Sequence, residues 1–133
     1  MFKKAIQNGL LGLAFCGLVG SAVAQSYPNK TITIVVPFPP GGTTDVLARA
    51  IANKLGPALG QSVIVDNKPG AGTVIGVDAT AKASDNLTVG GVANSFTVNQ
   101  SLIKNLPYNT TKDLQPVVLM ARTANVLAVK SSL

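Results

Sequence analysis

Six residues, Thr31-Ile-Thr-Ile-Val-Val36, lead without a break into Pro37-Phe-Pro-Pro-Gly-Gly-Thr-Thr-Asp45. A continuous β-branched run fits a strand in a sheet buried on both faces. The prolines stop it, because each fixes φ and lacks an N–H. Gly41 and Gly42 then allow backbone paths closed to other residues. From Val46 onward apolar residues recur at helical spacing. Strand, glycine loop and helix start thus follow one another. That order exposes backbone N–H groups at a positive helix end, a natural place to hold an anion.

The pattern repeats along the chain. The spacing predicts a strand over 31–36 and a helix over Thr43–Leu59. In that helix Val46, Leu47, Ala50, Ile51, Leu55, Ala58 and Leu59 are expected to face inward. Thr43 or Thr44 would cap it, and Asp45 suits its first turn. Gly56-Pro57 should kink its last turns, and Gly60 should end it. A second buried strand is expected over 62–66, with a turn at 67–70. A helix over 73–83 follows, with Val74, Val77, Ala81 and Ile75 inward. Then come a weaker strand over 87–91, a loop at 93–95, a short helix over 96–103 and a polar connection over 106–112. Residues 116–120 and 125–130 read as further strands. Alternating strands and helices with short links imply an α/β fold with a parallel sheet and right-handed crossovers. Two solid helices cannot cover both faces of such a sheet, so the lobe is expected to be incomplete, a truncated part of something larger.

The ends and the composition narrow the function. Lys3 and Lys4 precede an uncharged apolar stretch over 10–23, and Ala22-Val23-Ala24 offers small residues for cleavage. Residues 1–24 therefore read as a secretory signal peptide cleaved near Ala24, with export to the periplasm. The sole cysteine, Cys16, leaves with that segment. The chain has no histidine, and its five acids are all aspartates, at 45, 66, 78, 85 and 113. Thiolate chemistry, histidine triads and histidine metal sites drop out, so neither an enzyme nor a metal or other cofactor is expected. Beyond the signal, nine cations face five carboxylates. They are spread singly and mature aromatics are few, which argues against nucleic acid. The mild positive field still favours anionic ligands.

Three loops could bear chemistry. The first, 37–45, is stiffened by three prolines, so its bound shape is partly pre-formed. Hydrogen bonds to a charged group contribute about 1.5–3 kcal/mol each. Two or three of them, with up to about 2 kcal/mol from the helix end, come near the roughly 8 kcal/mol of micromolar binding. The competing reading is a tight structural turn with a helix cap. The second loop, Lys68-Pro-Gly-Ala-Gly-Thr-Val-Ile-Gly76, loosely resembles a dinucleotide fingerprint. Pro69 and the spacing disfavour that, and close helix–strand packing explains its glycines more simply. The third loop, 91–95, follows the third strand. In a parallel sheet it shares an edge with the first loop, and Asn94 and Ser95 could donate to a ligand there or merely cap a helix. Asp45 as a general base lacks a nucleophile, a partner base and a cation at a diagnostic spacing. A loop-bracing role suits it better.

Tyr27-Pro-Asn-Lys30, Ile34 to Asp45, Leu59-Gly-Gln61, Val63-Ile-Val-Asp-Asn-Lys-Pro-Gly-Ala-Gly72, Ile75-Gly76, Ala81-Lys-Ala83, Asn99-Gln-Ser-Leu102, Leu106-Pro-Tyr108, Lys112-Asp-Leu114 and Pro116-Val117 stand in one order. In that order and spacing the chain resembles the substrate-binding proteins of tripartite tricarboxylate transporters, the Bug family receptors. The resemblance covers essentially all of 27–130. It implies a periplasmic binding protein of type II-like α/β fold, two-lobed, closing on a small carboxylate and delivering it to membrane permease subunits. Residues 25–133 would be the N-terminal part of its first lobe, a monomer with no nucleic-acid role. By position the resemblance nominates Phe38, Gly41, Gly42, Thr43, Thr44 and Asp45 as ligand-binding, with Ala93, Asn94 and Ser95 from the third loop. The segment 84–91 is shorter than the family pattern, and Phe96 and Gln100 depart from it. Two other outcomes fit the same residues: a truncated, non-functional remnant of such a receptor, or a periplasmic ligand sensor without a transport role.

Overall fold

The computed structural model describes residues 27–124 and 126–132. The expected signal peptide, its cleavage point and Cys16 lie outside them. The elements in order are β1 (Ile32–Val36), α1 (Thr43–Leu59), β2 (Val63–Asn67), a 3-10 turn (Ala71–Thr73), α2 (Val74–Ala81), β3 (Thr88–Gly90) and α3 (Asn94–Leu102). The strands form one parallel sheet in the order β2-β1-β3. Ile34 is in register with Val65 on one side and Val89 on the other. All three strands point the same way, so the loops leaving β1 and β3 emerge side by side.

The main core joins β1 to α1. Ile34, Val36, Ala48 and Ala52 are buried together, with Phe38, Ile51, Val63 and Val65 packed against them. Two alanines on the inner face let the helix axis come close to the sheet, since neither holds it off with a long side chain. This corrects part of the inward face expected for the helix, of which Ile51 does pack on the core. Its buried residues are Asp45, Ala48 and Ala52, whereas Val46 is 57% and Leu59 40% exposed. Bonds that hold Asp45 inward, described below, set this rotation. The helix also passes through Gly56-Pro57 without interruption. Pro57 forgoes the N–H bond that would run to the Asn53 carbonyl, yet the helix continues to Leu59. Gly60 ends it at φ 64°, its N–H donating to the Gly56 carbonyl.

α2 packs on the other side. Val77 is 1% exposed, and Gly76 lets the helix press onto the end of β1. A Cβ at Gly76 would stand 2.7 Å from Pro37 Cβ and 2.8 Å from the Lys68 carbonyl oxygen. Close packing is therefore what this glycine serves. Ile75, expected inward, is 52% exposed, because Gly76 and Val77 are the residues this short helix turns inward.

Other expectations shift. β2 is an edge strand rather than one buried on both faces, and Ile64 is half exposed. α3 starts at Asn94, so Asn94 and Ser95 belong to its first turn and not to a loop. Tyr108, in the expected polar connection, is buried and stacks on Phe96 with ring centres 6.4 Å apart. Residues 116–120 and the described part of 125–130 form no strand, and Val117, Val118, Val126 and Leu127 are well exposed. A strand needs a neighbour to complete its ladder, and among the described residues these pair with none. Among the described residues, no helix is long and apolar enough to cross a membrane.

Candidate functional site

A cleft of about 780 Å³ opens at the carboxyl edge of the sheet, between the loop after β1 and the start of α3. Phe38, Pro39, Pro40, Gly42, Thr43 and Thr44 line one side, and Ala93, Asn94 and Thr97 the other. Residues 118–121 and Thr123 border it as well. No charged side chain is among the lining residues.

The backbone supplies the polarity. Gly42 is the residue before α1, in extended conformation, and no side chain caps it. The expected capping by Thr43 or Thr44 is thus absent, since both already lie inside the helix. The Gly42 carbonyl accepts from the Val46 N–H at 3.0 Å. Among the described residues the N–H groups of Gly42, Thr43 and Thr44 have no acceptor. The same holds across the cleft. Ala93 precedes α3 in extended conformation, its carbonyl accepts from Phe96 at 3.0 Å, and the N–H groups of Asn94 and Ser95 have no acceptor among the described residues. Two helix N-termini therefore border one uncharged cleft. Each presents a partial positive charge of roughly half an electron, and both favour an anion between them.

Asp45 does not face that cleft. It is 3% exposed. Its Oδ2 accepts from the Gly41 N–H at 2.9 Å and from Arg49 Nε at 3.0 Å, and its Oδ1 accepts from Asn67 Nδ2 at 2.9 Å. Asn67 Nδ2 also donates to the Phe38 carbonyl at 3.1 Å, while its Oδ1 accepts from Arg49 at 3.0 Å. One aspartate, one arginine and one asparagine thus tie the loop, α1 and the end of β2 into a unit. The Arg49 bond, then those from Gly41 and Asn67, hold the Asp45 carboxyl at about 2, below its ordinary 3.8. A carboxylate with three donors and so low a pKa is a brace, not a base.

Of the nine residues nominated from the sequence, Phe38, Gly42, Thr43, Thr44, Ala93 and Asn94 line the cleft. Gly41 and Asp45 are engaged with each other behind it. The Ser95 hydroxyl lies 3.2 Å from that of Thr73 instead. Arg49 and Asn67 were not anticipated. Arg49 stands four residues after Asp45, a spacing that brings side chains together on a helix, so the expectation that Asp45 has no cation at a meaningful spacing is corrected. Asn67 gave no such signal, because its role depends on β2 lying beside β1.

The profile of the tripartite tricarboxylate transporter family receptors, TctC, matches residues 47–133. The chain belongs to this family. Protein BugT of Bordetella pertussis is 43% identical over 124 residues, which cover 91% of the chain and 38% of BugT. The chain thus spans well under half the length of that relative. Among solved structures, MatC from Rhodopseudomonas palustris with bound malate superposes at a TM-score of 0.65 with 35% identity, over 71% of this chain and 33% of MatC. The periplasmic binding protein BugD superposes at a TM-score of 0.59 with 38% identity, over 65% of this chain and 29% of BugD. The fold is that of part of a periplasmic binding protein, and the family is one of substrate-binding receptors.

Proposed function

We propose that this chain forms the anion-holding part of a periplasmic receptor for a small carboxylate, which it delivers to the permease subunits of a tripartite transporter. Residues 1–24 direct export and are removed near Ala24, and residues 25–133 make up the N-terminal part of the first lobe. The receptor acts as a monomer. The observation that carries this reading is the meeting of two unpartnered helix N-termini, at 42–44 and 94–95, across a cleft without charged side chains. Backbone amides suit a carboxylate because they donate without bringing counter-charges that would hold any anion indiscriminately. Gly42, Thr43 and Thr44 grip from one side, and Ala93, Asn94 and the start of α3 from the other. Phe38 and Leu47 give the cleft its apolar floor. Malate bound to MatC supports a dicarboxylate as the ligand.

The test is calorimetric titration and thermal melting of the protein produced from its own gene, against a panel of mono-, di- and tricarboxylates. A di- or tricarboxylate should raise Tm and bind in the micromolar range or tighter. No response across the panel overturns the reading.

A further inference from the structure

Residues 70–73 take positive φ angles in succession: 129° at Gly70, 46° at Ala71, 61° at Gly72 and 82° at Thr73. Glycine adopts such angles freely, but a β-branched threonine does so only under constraint. Here the constraint is visible. Thr73 is buried, and its Oγ1 lies 3.2 Å from Ser95 Oγ and accepts from Asn99 Nδ2 at 3.3 Å. The same Nδ2 donates to the Gly72 carbonyl at 2.7 Å. Ser95 and Asn99 are one turn apart, so these bonds act on a single face of α3. Apolar packing holds this helix only in part, since Val98 is 48% and Leu102 73% exposed. The stack of Phe96 on Tyr108 gives its first turn one apolar anchor. The side-chain hydrogen bond that ties Ser95 of its first turn to the rest of the lobe runs to the hydroxyl of a strained threonine, and that first turn is one wall of the cleft.

Resting on the carboxylate-receptor reading, we propose that Thr73 is a positioning residue for the anion site. Its hydroxyl holds Ser95 and Asn99 so that the amides of Asn94 and Ser95 stay aimed at the cleft. Ser95 on this account acts through its backbone, and its side chain is the handle by which Thr73 steers it. A glycine at 73 would relax the turn but could not grip α3, which explains why an unfavourable residue occupies the position.

Three variants of the protein produced from its own gene separate the effects. Thr73→Ser keeps the hydroxyl, Thr73→Val keeps the branched shape without it, and Thr73→Gly removes both the hydroxyl and the strain. Each is melted and titrated with malate, succinate and citrate. Thr73→Val should bind about five- to tenfold more weakly than wild type, the effect of about one hydrogen bond, and Thr73→Ser within about twofold of it. Thr73→Gly, in which relieved strain offsets the lost hydroxyl, should melt near wild type yet bind as weakly as Thr73→Val, a divergence that a purely structural role does not produce. Wild-type affinity in Thr73→Val or Thr73→Gly overturns the proposal. Silence of wild type toward these three acids leaves the receptor reading to the full carboxylate panel, whose failure is separate from that of the positioning role. The positioning role is then read from the unliganded protein by NMR: the amide resonances of Asn94 and Ser95 should move in Thr73→Val and hold in Thr73→Ser, and unmoved resonances in Thr73→Val overturn it.

Discussion

The backbone N–H of Gly41 donates to Oδ2 of Asp45 across 2.9 Å. The two glycines of the loop therefore have opposite duties. Gly41 turns its amide inward to the acid, and Gly42 leaves its amide without an acceptor beside the cleft. An acidic residue next to an anion site would be self-defeating if its charge reached the ligand. Arg49, Gly41 and Asn67 take up that charge from behind.

Asp45→Asn should loosen the loop. All the groups around the carboxylate are donors, so an amide nitrogen placed there faces a donor whichever way it is turned. Melting should fall by roughly 4–8 °C, and carboxylate affinity by about tenfold or more as the amides lose their aim. Wild-type melting and affinity in this variant would remove Asp45 from its bracing role.

Acid should act through the same group. The Asp45 pKa is about 2 in the folded chain against an ordinary 3.8. A depressed folded pKa means stability that is fully present above the ordinary value and is lost as pH falls through the folded one. Tm should thus be insensitive to Asp45 above about pH 5 and fall between about pH 4 and 2. Asp85, lowered mainly by its bond from the Leu87 N–H, adds to the same limb. A melting series from pH 7 to 2 checks this: Asp45→Asn should show a shallower acid limb than wild type, and parallel curves would count against the assignment.

Asn67→Ala removes donors to Asp45 and to the Phe38 carbonyl together with an acceptor for Arg49. At a half-buried position the expected loss is about 1–2 kcal/mol in denaturant unfolding. Arg49→Ala, whose side chain is half exposed, should cost less, about 1 kcal/mol or below. The reverse ranking would mean that the ion pair, and not the asparagine, secures the loop.

Gly76→Ala tests the packing that seats the loop. Its Cβ would meet the Pro37 ring and a carbonyl oxygen, neither of which can swing aside. A loss of about 1–3 kcal/mol is expected. Gly41→Ala meets open space but keeps φ at 86°, so its cost is the smaller strain of about 1–2 kcal/mol. Wild-type stability of Gly76→Ala in chemical denaturation would show that α2 does not press on Pro37.

The frame of the molecule was legible because its signals are local. The run ending at Val36, the prolines and Gly60 bound β1 and α1, and the bounds of α1 were anticipated to the residue. That the first and third loops share one edge followed from parallel order, and the pairing of β3 with β1 makes them neighbours. What escaped depends on neighbours distant in sequence. Asn67 and Gly41 hold Asp45 of α1 inward, so Ala48 and Ala52 face the sheet beside Ile51 while Val46 and Leu59, expected inward, are exposed. The strained turn at Thr73 is held by Asn99 from α3, which no local pattern shows. Residues 116–120 have strand composition but no described partner, and composition alone makes no ladder.

The strand that comes first in the sheet also lies at its centre, with Ile34 joined to Val65 on one flank and to Val89 on the other. Its second flank stays open until most of the described chain has been made. Closure of the sheet is therefore a late, long-range event, of the kind that slows folding more than it weakens the product. While it is pending, the apolar stretch from Ile32 to Val36 has an unpaired edge. The sheet is thus assembled in the order in which it is made, and its central strand waits longest to have both neighbours.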